Sequence, residues 1–581
     1  FQHFMEILQV TKVRMLQISK KFTLLFVVIF IAFSIVLTMH SKSSFSLFEV
    51  FTKDKMQQLV GQNKNAHNIT NVTTNGGPVQ NTSSHHNFKG AYNNVENNTA
   101  SKVEGKIENG SLTSSTKIIE RFLDGLLDSR FDEPSCMSRY QSHLYRKTSP
   151  HKPSSYLISK LRKYEEIHRR CGPNSKPYHR TMTKILHSKS IEGDAKMCKY
   201  LIWKPVNGLG NQMVSMVAAF LYALLTNRAM LVSFGKDKQR LFCEPFLNST
   251  WLLPKTSPFW NEKHVETYQS MIEKKNVINN SKSDLPSTLF LNLQYQQNFH
   301  EKFFHCGDSQ ALLVKVPLLI LQSDQYFLPS LFMTPFFNTE LEKMFVEKDT
   351  VFHHLGRYLF HPSNSAWRLI TKIYQKHLAK ADEKIGIQIR VYNPVTTPQQ
   401  VIANLVLNCT LENNLLPKVL DMKSSISSKT TTKVVLVASL NPQYGENLKT
   451  MYMNKSTVSG EVIEIFQPSH EDQQKFNDNE HNMKAWVDMY LLSLSDVLVT
   501  TSLSTFGYVA QGLGNLRPWL LYKLVNNETH YPACEREFSM EPCYHSPPKH
   551  YCSGKPIMEF SSSFLYMRKC KDFGFGVKLV S

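Results

Sequence analysis

An α/β architecture with two lobes is the fold class this sequence predicts, on three observations. From Lys199 onward, short continuous apolar runs recur, the mark of strands covered on both faces of a parallel sheet. Helical patterns such as "MKAWVDMYLLSLS" lie between them, the alternation that builds such sheets. The alternating stretch is also too long for one ordinary domain, so a ligand cleft between two lobes is expected, with the join near residue 380.

In chain order, residues 1–21 form a short tail carrying Lys12, Arg14, Lys20 and Lys21, with Met5 the candidate start. Residues 22–39, "FTLLFVVIFIAFSIVLTM", hold no charge and reach the minimum length of a spanning helix. Only Lys42 and Lys53 follow closely, so the positive-inside bias keeps the tail cytoplasmic and sends the rest across the membrane. No small-x-small cleavage site follows, which favours an uncleaved signal-anchor. Residues 40–115 are rich in Asn, Ser and Thr and poor in large apolar groups, so a disordered, glycosylated stem is expected. At "STKIIERFLDGLLDSRFD", Ile118, Ile119, Phe122, Leu126 and Leu127 recur at helical spacing. The N-terminal lobe is therefore set at 116–380, and the C-terminal lobe with a Cys-rich tail at 381–581.

The candidate strands are "YLIWKPV", "AMLVSF", "LLILQS", "KIGIQIRV", "KVVLVAS", "EVIEIF", "DVLVTT" and "PWLLYK". Lumenal exposure predicts surface sequons, which begin at Asn68, Asn71, Asn81, Asn97, Asn109, Asn248, Asn279, Asn408, Asn454 and Asn527. The ten cysteines contain no CxxC pair, so disulfides are expected over a zinc site, with the pairing open. The net charge of +20 comes from scattered cations rather than a stripe, which argues against nucleic acid. It leaves attraction of an anionic small substrate beside the plainer reading of a basic solvated surface.

Three strand ends carry candidate chemistry, because open parallel sheets bind ligands where strands lead into helices. "NGLGNQM" (Asn207, Gly208, Gly210, Asn211) opens a helix; its glycines serve either close backbone approach to a ligand or a tight turn. In "KIGIQIRVY", alternation sends Gln388 and Arg390 to one face, and a buried guanidinium needs an anion or an ion-pair partner. In "SDVLVTTSLSTFGY", Ser502, Ser504 and Thr505 lead into a helix, either as an anion site or as N-caps. No Asp-x-Asp pair occurs, so any nucleotide donor would rely on Arg390 and that helix start in place of Mg²⁺.

Longer stretches carry a resemblance. "FDEPSCMSRYQS", "SSYLISKLRKYEEIHRRCGP", "YLIWKPVNGLGNQM", "SDQYFLPSLF", "VFHHLGRYLFHP", "KAWVDMYLLSLSDVLVTTSLSTFGYVAQGLG" and "SMEPCYHSPP" resemble the plant xyloglucan α-1,2-fucosyltransferase family. The resemblance implies a GT-B-like pair of Rossmann-type lobes and a single-pass type II enzyme of the Golgi membrane. It implies inverting transfer of L-fucose from GDP-fucose to galactose on a cell-wall glycan, with no metal cofactor. Carried over by position, Arg390 and Gln388, with Ser504, Thr505, Phe506, Gly507 and Tyr508, would bind the donor; Asn207, Gly208, Gly210 and Asn211 would line the cleft; and Asp324 would be the general base. A structural role for Asp324 stays open. Gln212 and Leu503 depart from the family, which has arginine and tryptophan there. The alternatives are an arabinogalactan-protein acceptor or an idle lumenal carbohydrate-binding partner. A homo-oligomer or a complex with other Golgi transferases remains open.

Overall fold

The computed structural model describes residues 122–187, 197–261, 264–277, 285–295, 301–393, 397–420, 431–524 and 531–581. The tail, membrane segment and stem expected over residues 1–115 lie outside these, as do Ile118 and Ile119.

Every strand expected from the sequence is present. In the first sheet β1 (Tyr200–Lys204), β2 (Ala229–Val232), β3 (Thr288–Asn292) and β4 (Leu318–Gln322) lie in the order β2-β1-β4-β3, all parallel. β3 was not foreseen. It is an edge strand on which only Leu289 and Leu291 are buried, so "TLFLN" alternates in burial instead of forming a fully covered run. The second sheet holds β5 (Glu383–Gln388), β6 (Thr432–Ala438), β7 (Val462–Phe466), β8 (Val497–Thr501), β9 (Trp519–Leu521) and β10 (Cys534–Arg536). Its order is β10-β9-β8-β5-β6-β7, with β10 antiparallel to β9. Read from β7 to β9 this is the doubly wound sequence 3-2-1-4-5.

The helices that frame the sheets and the cleft are α1 (Ser155–Cys171), α2 (Leu209–Thr226), α3 (Val351–Leu359), α4 (Gln399–Glu412), α5 (Gln443–Asn454), α6 (Asn479–Leu492) and α7 (Thr505–Gly514). α2 is apolar on all sides and is buried on all sides, except at Asn211. It ends where Asn227 takes a left-handed φ of 52° and the Arg228 N–H caps the Ala223 carbonyl. The Arg228 guanidinium is fully buried and donates to the carbonyls of Tyr200, Leu313 and Pro317, stapling the starts of β1 and β4. Burial pulls its pKa down to about 10.

The last residues return to the first sheet. A hairpin of β11 (Met567–Lys569) and β12 (Val577–Leu579) shares a core with α2, α3 and α7. Lys578 and Glu537 pair at 2.8 Å with no solvent exposure, and buried Glu541 accepts from the Tyr326 hydroxyl and the Phe352 N–H. All ten cysteines pair: Cys136–Cys243, Cys171–Cys198, Cys306–Cys552, Cys409–Cys534 and Cys543–Cys570. Of the sequon asparagines, Asn248, Asn408 and Asn454 fall within the described residues, and each is exposed.

Candidate active site

The second sheet reverses its strand order once, between β5 and β8, and in the first sheet the crossover from β2 to β3 leaves β1 and β4 side by side at the centre. Such reversals open a crevice beyond the carboxyl ends of the strands. Loops from both sheets enclose a cavity of about 370 Å³ there.

The first-sheet wall is the turn that begins at Asn207, whose φ is 61°. Asn207 Nδ2 donates to Asp324 Oδ2 at 2.8 Å, and Gln212 Nε2 donates to the Asn207 carbonyl at 2.6 Å. Asn211 Nδ2 donates to the Asp324 carbonyl at 3.2 Å, while its Oδ1 accepts from Thr505 Oγ1 at 2.9 Å. A Cβ on Gly210 would lie 2.7 Å from Thr505 Oγ1 and 2.9 Å from the Phe506 nitrogen. Gly210 therefore lets the first turns of α2 and α7 touch; the close approach is to the neighbouring helix. Gly208 and Asn211 line the cavity with it.

Asp324 lies behind this turn and is not part of the cavity wall. Besides Asn207, its carboxylate accepts from the Tyr295 N–H at 3.0 Å and Gln325 Nε2 at 3.1 Å. Three donors make it a bracket between the end of β4, the end of β3 and the turn. Gln212 belongs to the same bracket and leaves the cavity untouched.

The second-sheet wall carries the cation. Gln388 is buried and accepts from Thr500 Oγ1 at 2.7 Å. The Arg390 main chain is fixed by Thr501 Oγ1 at 2.9 Å, and its guanidinium donates to Gln474 Oε1 at 2.7 Å. No carboxylate pairs with Arg390 among the described residues, so the salt-bridge reading does not hold there. Ser504 occupies the N-cap position of α7, yet its side chain makes no capping bond; it faces the cavity with Thr505 and Phe506. The first turn of α7 thus lines the same cavity as Arg390, and helix starts of this kind suit anions. Gly507 and Tyr508 are not in the wall. Gly507 packs on Thr500, and the buried Tyr508 hydroxyl meets Asp572 and His545. Leu503 borders the cavity at a φ of 64°, a conformation that costs a branched residue about 1–2 kcal/mol, with its N–H held by Asp572 at 3.0 Å.

Among the cavity residues that escaped the sequence reading, Asp488 and His545 bear most on the chemistry. Asp488, on α6, is 4% exposed; Ser469 Oγ donates to one oxygen, and the other has no partner. Burial raises its pKa to about 7. The available signal was an acid inside the apolar run "AWVDMYLLSL". His545 comes from the Cys-rich tail, where nothing in the spacing of "PCYHSPP" marks it. Among the described residues, two groupings bring His, Cys and Asp ligand atoms together: His305–Cys306–Cys552 and Cys543–Cys570–Asp572. Each contains a disulfide, whose sulfurs cannot act as thiolate ligands.

The family model described as xyloglucan fucosyltransferase matches residues 93–553. A galactoside 2-alpha-L-fucosyltransferase of Arabidopsis thaliana is 48% identical over 469 residues, 79% of this chain and 83% of that one. A protein of the same name from Pisum sativum is 45% identical over 473 residues, 79% of this chain and 82% of that one. Among solved structures, a mutant of Arabidopsis thaliana FUT1 in complex with GDP superposes with a TM-score of 0.73 at 47% identity, covering 79% of this chain and all of that one. Matches of this length and identity place the chain in the xyloglucan fucosyltransferase family.

Proposed function

We propose that the protein is an inverting fucosyltransferase that moves L-fucose from GDP-fucose to a galactosyl hydroxyl of a cell-wall glycan, xyloglucan foremost, forming an α-1,2 linkage. The observation that carries this reading is the Arg390 guanidinium, set in the cavity beside the start of α7 with no ion-pair partner among the described residues. A diphosphate supplies the missing charge in a shape that the planar fork and the helix amides both fit. Arg390 and those amides then take up the charge that develops on the departing GDP. The same donors are proposed to serve without a divalent ion.

In the same cavity, the Asp488 carboxylate would accept from the adjacent N–H donors of guanine. Gln388, Ser504, Thr505 and Phe506 line the donor side, while Gly507 and Tyr508 support it from behind. Asn207, Gly208, Gly210 and Asn211 form the facing wall. Asp324 holds that wall rather than meeting the substrate. The two sheets would be the lobes of a GT-B-like enzyme, carried on a type II signal-anchor in the Golgi membrane with its catalytic part lumenal.

The test is direct. The full chain is incubated with GDP-fucose and galactosylated xyloglucan oligosaccharides, with and without a chelator. The expected product gains one deoxyhexose, α-1,2-linked to galactose, at a rate the chelator leaves unchanged. Transfer confined to arabinogalactan glycans would move the acceptor, and GDP binding without turnover would overturn the enzymatic reading.

A further inference from the structure

Asp324 does not supply the base that would complement the leaving-group clamp, since three hydrogen bonds occupy its carboxylate behind the wall. Attack by a galactose hydroxyl becomes easier as its proton is removed, so an acceptor atom on the cavity wall bears directly on the rate.

His545 stands in that wall. Its Nε2 lies 3.0 Å from the Tyr508 hydroxyl, which donates its single proton to Asp572 Oδ2. The phenol oxygen can therefore only accept from the imidazole. This fixes the tautomer: Nε2 carries the hydrogen, and Nδ1 keeps a free lone pair. Nδ1 has no partner among the described residues. The arrangement is built in covalently. His545 follows Cys543 by two residues and Asp572 follows Cys570 by two, and Cys543 and Cys570 form one disulfide. On its other side, Ser546 Oγ donates to the Tyr295 carbonyl at 3.1 Å, anchoring the segment just beyond β3. His545 thus sits in the cavity wall where the segment anchored beyond β3 meets α7.

We propose that His545 is the catalytic base, its Nδ1 receiving the proton of the attacking galactose hydroxyl, with Tyr508 and Asp572 as positioning residues. The step balances. The acceptor oxygen bonds to C1 of fucose, and the C1–O bond to the β-phosphate breaks with its electron pair leaving on GDP. The hydroxyl proton moves to Nδ1 and is later released to water. The proposal rests on the fucosyl-transfer reading above.

The charged groups around the ring are Asp572 in the loop before β12, Asp324 beyond β4 and Lys578 on β12, while Tyr508 of α7 touches it. Their effects are smaller than that of burial, which lowers the His545 pKa and keeps the ring neutral near neutral pH. The rate is therefore expected to fall on the acid side, as Nδ1 takes a proton from solvent.

The experiment compares full-chain wild type, His545→Gln, His545→Ala, Tyr508→Phe and the double variant Tyr508→Phe/His545→Gln. It measures kcat across pH with GDP-fucose and xyloglucan oligosaccharide, and GDP affinity by calorimetry. His545→Gln should lower kcat about 100-fold or more while GDP affinity stays within about threefold. Its acid limb should vanish, and added imidazole should partly restore His545→Ala. Tyr508→Phe should shift the acid limb and cost nothing further in the His545→Gln background. A His545→Gln kcat within about tenfold of wild type, an unmoved acid limb, or losses that add independently would overturn the assignment. Wild type that binds GDP but transfers no fucose would sink the underlying reaction instead, so the two failures are distinguishable.

Discussion

The two walls of the cleft are built in opposite ways. On the first-sheet side, Asn207, Asn211 and Asp324 bond mainly to one another and to nearby main chain. Elsewhere around the cavity, among the described residues, Arg390 lacks a counter-ion, Asp488 has an idle oxygen and His545 a free nitrogen. Groups satisfied within the protein stabilise a shape, whereas polar groups left unmatched in a cavity await a ligand. The contrast separates a rigid wall from a binding face, and substitutions on each side should behave differently.

The largest effect is expected at the binding face. Arg390→Ala should weaken GDP binding about a thousandfold, roughly 4 kcal/mol, with the thermal midpoint of the empty protein nearly unchanged. Calorimetry with GDP alone reads this; unaltered affinity would erase the contrast. Next comes Asp488. Its pKa of about 7 in the empty protein lies above the ordinary 3.8, so the folded state holds a proton that the unfolded chain releases. Stability of the empty protein should therefore fall as pH rises from about 4 to about 7, by up to about 4 kcal/mol. Glu541, raised by burial to about 8, adds to the same trend. Asp488→Asn should flatten the part below pH 7 and weaken GDP binding at pH 7.5, as denaturant titrations and calorimetry would show.

Removing the Cys543–Cys570 disulfide with serines should cost about 3 kcal/mol of stability, since it closes a loop of 27 residues, and should lower kcat more than GDP affinity. The smallest effect belongs to the rigid wall. Asp324→Asn puts an amide donor among three donors and should cost about 1–2 kcal/mol in denaturant unfolding, with kcat within about tenfold of wild type. A collapse of kcat with unchanged stability would return Asp324 to the chemistry.

Much of the fold could be read from sequence because the strands of a covered parallel sheet are short, continuous and apolar; "KVVLVAS" and "LLILQS" admit little else. β3 escaped because its burial alternates, and β10 to β12 because three-residue strands leave no period to detect. In the site, Arg390 and Ser504 were legible as polar residues at the ends of buried strands. Asp488 was hidden on a helix that was read only for its core face. His545 and Asp572 were hidden by distance, since a disulfide and a hairpin bring them to Tyr508 from another part of the chain.

The return of the C-terminal hairpin has a consequence for biogenesis. Val577 and Leu579 complete the core that α2 begins, so the earlier half of the chain emerges during synthesis with an apolar surface its own neighbours cannot cover. That half must wait, half-assembled, until translation has nearly ended, which makes the nascent chain a natural client for chaperones and makes late truncations far more damaging than their length implies.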